Sequence, residues 1–115
     1  MTAIPFKLDL HDGMVTFRGT AYLDGDDLVI EGERKALDLV PVGREHVRIA
    51  ADEIESVEVE SGMVGAKLVV RPFERDAIAG FPGAPATEIA IPVARKHRDD
   101  AEALARELRL RNLPR

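Results

Sequence analysis

Hydrophobic and polar residues alternate along most of the chain in short segments. Near the start, Phe6, Leu8 and Leu10 are separated by single polar residues, and a period of two places successive side chains on opposite faces of a β-strand. Comparable segments lie at residues 15–23, 28–30, 47–49, 57–60, 67–71 and 89–91. Turn-forming residues separate them, so the pattern predicts about seven short strands in an antiparallel arrangement.

Glycine, proline and aspartate mark the connections between these strands. Residues 11–13 and 24–27 each contain a glycine beside aspartate, which predicts two tight turns in which glycine can adopt positive φ. Gly19 interrupts a strand segment and predicts either a bulge or a close approach of two backbones. Residues 36–44 contain both a proline and a glycine, which predicts an irregular connection.

The last segment changes to a helical period. Its apolar residues follow the spacing i, i+3, i+4 and i+7, at Ala101, Leu104, Ala105 and Leu108. This stripe predicts one amphipathic helix, with acidic residues near its start and arginines near its end, as the helix dipole favours. We therefore predict a mainly β fold with one C-terminal α-helix, in a single domain over residues 1–115.

Residues 73–86 form the longest connection and contain four glycine or proline residues. The same segment holds three large apolar side chains, Phe73, Ile78 and Phe81. Such side chains either fold back over the core or form an interaction patch on the surface, and both alternatives stay open. These three residues are the candidate protein interface, and an exposed strand edge is a second route to association.

The composition is that of an ordinary globular protein, with 45% hydrophobic and 32% charged residues. The absence of cysteine excludes disulfides, thiolate metal ligands and cysteine nucleophiles. No segment has the length and apolar character of a membrane span, and the first residues lack the basic and apolar regions of a signal peptide. We therefore expect a soluble, cytoplasmic protein.

Charge is distributed unevenly. Residues 95–115 carry seven basic and four acidic side chains, a net charge of +3, while the other 94 residues have a net charge of −8. The acidic part repels phosphate backbones, and the few aromatic residues offer little base stacking, so nucleic acid is disfavoured as a partner. The basic segment supplies the candidate contacts to anionic lipid, which are Arg95, Lys96, Arg98, Arg106, Arg109 and Arg111.

No residue pattern in the chain predicts a catalytic, cofactor or metal site. Residues 24–27 are acidic but lack the spacing and distal glutamate of a calcium loop. Glu58 and Glu60 fall on one face of a strand, where solvent exposure explains them. The histidines, His11, His46 and His97, have no metal-ligand spacing, and neither serine lies in a nucleophile elbow.

Several stretches resemble the pleckstrin-homology (PH)-like superfold, especially small bacterial PH and GRAM-type domains. Residues 19–30 (GTAYLDGDDLVI) are similar to the opening hairpin of these domains. Residues 47–49 (VRI) are similar to a strand of the family, and residues 52–57 (DEIESV) to the short acidic link and the I-x-x-V pattern that follow it. Residues 88–92 (EIAIP) are similar to the strand before the terminal helix. The resemblance covers roughly residues 14–111 and rests on strand spacing and apolar positions, without a catalytic signature.

This resemblance implies a bent antiparallel sandwich or barrel of about seven strands capped by the helix. It also implies a binding or scaffold module more than an enzyme. The absence of a chemical site beside the apolar residues of 73–86 predicts that this non-enzymatic module associates with protein, including itself, through that loop or an exposed strand edge. Lipid-binding PH domains place lysine and arginine in the first hairpin, whereas residues 24–27 carry three carboxylates, so phosphoinositide binding is not expected. The alternative is a module that contacts anionic membrane surfaces through the basic C-terminal helix.

Overall fold

The computed structural model describes residues 3–10, 14–36, 40–62, 65–74 and 87–111. In these residues the strands are β1 (Ala3–Leu10), β2 (Val15–Asp24), β3 (Asp27–Ala36), β4 (Val40–Ala50), β5 (Ile54–Ser61), β6 (Gly65–Pro72) and β7 (Ile89–Ala94). One helix, α1 (Arg98–Arg111), follows them. Short 3-10 turns at Ala51–Glu53 and Arg95–His97 precede β5 and α1.

The strands form two antiparallel sheets. The first sheet has the order β1-β2-β3-β4 and the second has the order β5-β6-β7. The edge strands β1 and β7 contact each other, and α1 packs mainly against β5 and β6. The predicted fold class is thereby confirmed: the protein is mainly β, with two antiparallel sheets and a C-terminal helix that covers one end.

The N-terminal segment belongs to this fold as its first strand. Residues 3–10 pair with β2 in continuous antiparallel register, from Ala3 opposite Tyr22 to Leu10 opposite Val15. Residues 19–30, which resemble an opening hairpin, therefore lie in the second hairpin of the first sheet. The turn between β2 and β3 contains Gly25 at a φ of 63°, as the sequence predicts.

The inward side chains of both sheets and the apolar stripe of α1 form one core. The largest fully buried side chains are Phe17, Ile4, Leu28, Ile30, Ile49, Ile54, Leu68, Ile89, Ile91, Leu104 and Leu108. All four residues of the predicted helical stripe are buried. Burial of each large aliphatic side chain contributes about 1.5–3 kcal/mol to stability, so α1 is part of the core and not an appendage.

Two glycines lie opposite each other where β2 and β3 pair. Gly19 faces Gly32 in the register, and the ring of Phe17 lies over both backbones. A Cβ atom on Gly32 would lie 2.3 Å from the carbonyl oxygen of Arg18 and 2.6 Å from the Cα of Gly19. Of the two alternatives at Gly19, the structure therefore shows a close backbone approach, with an aromatic ring covering the glycines.

The prediction of an irregular connection through residues 36–44 was wrong for its second half. Strand β3 extends to Ala36 and β4 already begins at Val40. Pro41 lies within β4, which is an edge strand of the first sheet. An edge position tolerates proline because one side of the strand has no ladder partner. The register shift at Arg34 and Lys35, opposite this segment, accommodates the irregularity.

Within the ranges that the structure describes, no helix combines the length and apolar character required to cross a membrane.

Candidate functional site

The acidic turn between β2 and β3 is neutralised by arginines from distant parts of the chain. Arg48 binds Asp24 through Nη2 and Asp27 through Nη1, each at 2.7 Å. The Nε of Arg111 lies 3.3 Å from Asp26. Hydrogen bonds to Asp24 and Asp27 hold the pKa of Arg48 well above its ordinary value. The three carboxylates therefore serve the fold by tying the turn to β4 and α1.

Two arginines at the end of α1 fasten the helix to the sheets. The Nε and Nη2 atoms of Arg109 donate to the carbonyl oxygen of Val57 at 3.0 and 2.6 Å. The Nε of Arg111 donates to the carbonyl oxygen of Gly25 at 3.0 Å. Because Val57 lies on the edge strand β5, Arg109 also occupies a backbone acceptor that another strand would need for pairing at that position.

The other candidate lipid contacts have different surroundings. Arg98 forms an ion pair with Glu102 at 3.5 Å within the first turn of α1. Arg95 and Lys96 are exposed in the 3-10 turn before the helix, and Arg106 is exposed in its middle. The structure thus divides the six basic residues into Arg109 and Arg111, which bind the sheets, and four that lie towards solvent.

Phe73 is the predicted interface residue whose position the structure describes. It follows the last residue of β6, and 62% of its surface is exposed. Its backbone N–H donates to the carbonyl oxygen of Glu53 at 3.0 Å, which fixes the backbone from which the ring projects. Ile78 and Phe81 lie outside the described residues.

A groove of about 890 Å³ is lined by residues of all four strands of the first sheet and of the turn that follows β7. The strand register places Lys7, Arg18 and Arg44 in one row, with Glu33 between the two arginines. Lys96, from the turn that follows β7, lines the same groove. Among the described residues no carboxylate forms an ion pair with Lys7, Arg44 or Lys96. We call these four cations and the space between them the basic groove.

An acidic segment lies along β5, which is the edge strand of the second sheet on the side away from β7. Five exposed carboxylates lie in the turn before β5 and along that strand, at Asp52, Glu53, Glu55, Glu58 and Glu60. Their apolar neighbours point inward, as the alternation predicts. Within the described part of the chain none of the five forms an ion pair. We call this segment the acidic ridge.

Two of the three histidines line the basic groove even though they are far apart in sequence. His46 comes from β4 and His97 from the turn before α1. The Nε2 of His46 lies 3.9 Å from Glu31, and the Nδ1 of His97 lies 3.7 Å from Asp100. The described residues contain no group of three side chains able to hold a metal ion. His11 lies outside them.

In the strand register Tyr22 lies on the same face of the first sheet as Arg18, diagonally opposite Glu31. Partial burial raises the pKa of the Tyr22 hydroxyl, and the charge and hydrogen bond of Glu31 raise it further. The hydroxyl therefore stays protonated as a hydrogen-bond donor to Glu31 throughout the neutral range.

Comparison of the chain with protein-family models, with curated proteins and with solved structures found no match.

Proposed function

We propose that the chain is a non-enzymatic PH-like binding module that associates with protein, including a second copy of itself. A four-stranded sheet, a three-stranded sheet and a terminal helix follow one another in the chain. This order supports the resemblance to bacterial PH and GRAM-type domains. Because a fold of this kind hosts many functions, the proposal rests on the surface of the molecule and not on the architecture.

The observation that carries the proposal is the exposure of Phe73. A phenyl ring in water forgoes the stabilisation that burial provides, and aromatic side chains are enriched among the residues that dominate protein interfaces. The bond from its backbone to Glu53 fixes the attachment point of the ring, so a partner would immobilise little more than the side chain.

A second exposed apolar side chain lies at the same end of the molecule. Leu110, on the last turn of α1, is 57% exposed. The end of the helix lies beside the β2–β3 turn, because Arg111 donates a hydrogen bond to a carbonyl oxygen of that turn. The carbonyl oxygen of Asp26 in the β2–β3 turn accepts a hydrogen bond from the N–H of Ala51. Ala51 begins the 3-10 turn Ala51–Glu53, and Glu53 of that turn accepts the hydrogen bond from the N–H of Phe73. Phe73 and Leu110 therefore both flank the connection between β4 and β5.

Phe73→Ser is expected to weaken self-association at least about tenfold, the effect of losing an interface aromatic. Sedimentation velocity over a range of protein concentrations measures this change. Met14→Ser is the matched control, because Met14 is also 62% exposed but lies before β2. Both variants should unfold at nearly the same temperature as the unsubstituted protein. A strictly monomeric unsubstituted protein, or equal weakening by both substitutions, would contradict the proposal.

The membrane alternative stays a prediction, and the structure changes how it should be tested. Substitution of Arg109 or Arg111 would damage the fold, since both bind the sheets. Lys96→Glu with Arg106→Glu instead removes two exposed cations. If the protein cosediments with anionic vesicles at physiological salt and this variant does not, membrane binding replaces protein association as the favoured function.

A further inference from the structure

We propose that the acidic ridge of one copy docks in the basic groove of a second copy. This inference rests on the proposed self-association and names the surfaces that would mediate part of it. It commits to one occupant for the groove, a second copy of this chain.

Charge is the first argument for this pairing. The chain has a net charge of −5, so two copies repel each other unless surfaces of opposite sign meet. The acidic ridge holds exposed carboxylates without an ion pair among the described residues, and the basic groove holds three such cations. Each surface therefore carries charge that no described intrachain contact neutralises, and the two are of opposite sign.

Dimensions give the second argument. From Lys7 to Arg44 the row crosses three interstrand spacings, about 14 Å in all. From Glu55 to Glu60 the ridge extends over five residues of a strand, about 17 Å. The ridge lies on an edge strand and is slightly longer than the row, so the charged strand can lie across the row of cations.

The mixed charge of the groove favours a protein surface over a dense phosphate group. Glu31, Glu33 and Glu45 line the groove together with the cations, and these carboxylates would repel a multiply charged phosphate placed among them. The ridge is mixed in a similar way, because Lys67 lies opposite Glu60 in the strand register. Partners with spaced charges of both signs can align each cation with a carboxylate and each carboxylate with a cation.

The geometry also specifies the kind of assembly. The ridge and the groove are different surfaces, so the contact is head-to-tail and leaves one free ridge and one free groove at the ends. Assemblies can therefore grow past two copies as the concentration rises, unless a ring closes. Because the side chains are exposed, added salt should weaken the contact.

Charge reversal on each surface tests the inference. The ridge variant carries Glu58→Lys and Glu60→Lys, and the groove variant carries Lys7→Glu and Arg44→Glu. Each variant alone brings like charges together and should associate at least about tenfold more weakly than the unsubstituted protein. An equimolar mixture of the two restores opposite charges and should recover association. All four residues are exposed, and thermal unfolding verifies that each variant folds.

A control separates this pairing from a general effect of net charge. Asp9→Lys with Asp99→Lys changes the net charge as much as the ridge variant does, at two exposed positions outside both surfaces, and should leave association nearly unchanged. Association of either surface variant at the level of the unsubstituted protein, or a mixture that stays monomeric, would overturn the inference. Thermal stabilisation by inorganic pyrophosphate that the groove variant loses would also overturn it, because a small anion would then be the occupant.

The outcomes distinguish this inference from the proposed function. If Phe73→Ser weakens association and the charge variants do not, the ridge and groove pairing is wrong and the proposed function stands. If the charge variants weaken association and Phe73→Ser does not, the self-association is electrostatic and Phe73 is not its site. A monomeric unsubstituted protein at low salt would refute both.

Discussion

Gly32→Ala is expected to lower the free energy of unfolding by about 3 kcal/mol. The added methyl group would lie 2.3 Å from the carbonyl oxygen of Arg18 and 2.6 Å from the Cα of Gly19. Both neighbours are backbone atoms in the central pair of strands of the first sheet, so relief of the overlap requires β2 and β3 to separate. Urea unfolding followed by circular dichroism measures the change.

Gly43→Ala is the matched control in the neighbouring strand. Among the described residues, a Cβ atom there would meet the guanidinium of Arg34, at 3.5 Å from Nη2, which is an ordinary contact with a flexible side chain. The expected change is below about 1 kcal/mol. If the two glycine variants have the same stability, the close approach of Gly19 and Gly32 is not what requires glycine at residue 32.

Leu104→Ala is expected to lower the free energy of unfolding by about 3 kcal/mol. The side chain of Leu104 is 1% exposed and lies in the core between α1 and the sheets. Its truncation removes buried hydrocarbon and leaves a cavity that the surrounding strands can fill only in part. Thermal and urea unfolding should agree on the size of the loss.

Leu110→Ala makes the same chemical change on the same helix. Because Leu110 is 57% exposed, its truncation should change the free energy of unfolding by less than about 0.5 kcal/mol. Equal effects of the two leucine variants would show that α1 does not dock on the sheets through its predicted stripe. In that case the helix would also be available for other contacts, including the membrane alternative.

Local patterns are enough to predict most of the elements. The period-two segments correspond to strands, and the apolar stripe from Ala101 to Leu108 corresponds to the buried face of α1. Strand β4 begins earlier than expected because the tolerance of Pro41 depends on its position at the sheet edge. That position follows from the order of strands in the sheet, which the local sequence does not contain.

The surfaces are harder to predict than the elements. Lys7, Arg18 and Arg44 come from three strands and form a row only through the pairing register. The carboxylates of β5 are recognisable in sequence as a solvated face, but the sequence does not show that they form no ion pair with any described residue. Arg109 and Val57 are 52 residues apart, so their bond has no local signal either.

These internal arginine contacts account for the different behaviour expected of two sets of basic residues. Arg48 and Arg111 neutralise the β2–β3 turn, and Arg109 fixes the helix to β5. Lys7, Arg44 and Lys96 in the basic groove form no ion pair among the described residues. Substitution of the first group should therefore alter stability, while substitution of the second should alter association with little change in stability.

Carbodiimide cross-linking of mixed light and isotope-labelled chains tests self-association and its surfaces most directly. The reagent joins amines to carboxylates that are in contact, and the mixed label identifies links between copies. We expect light–heavy peptide pairs that join Lys7 or Lys96 to Glu55, Glu58 or Glu60, with yields that fall as salt rises. Cross-links found only within single copies, at protein concentrations where association is measured, would contradict the docking of the acidic ridge in the basic groove.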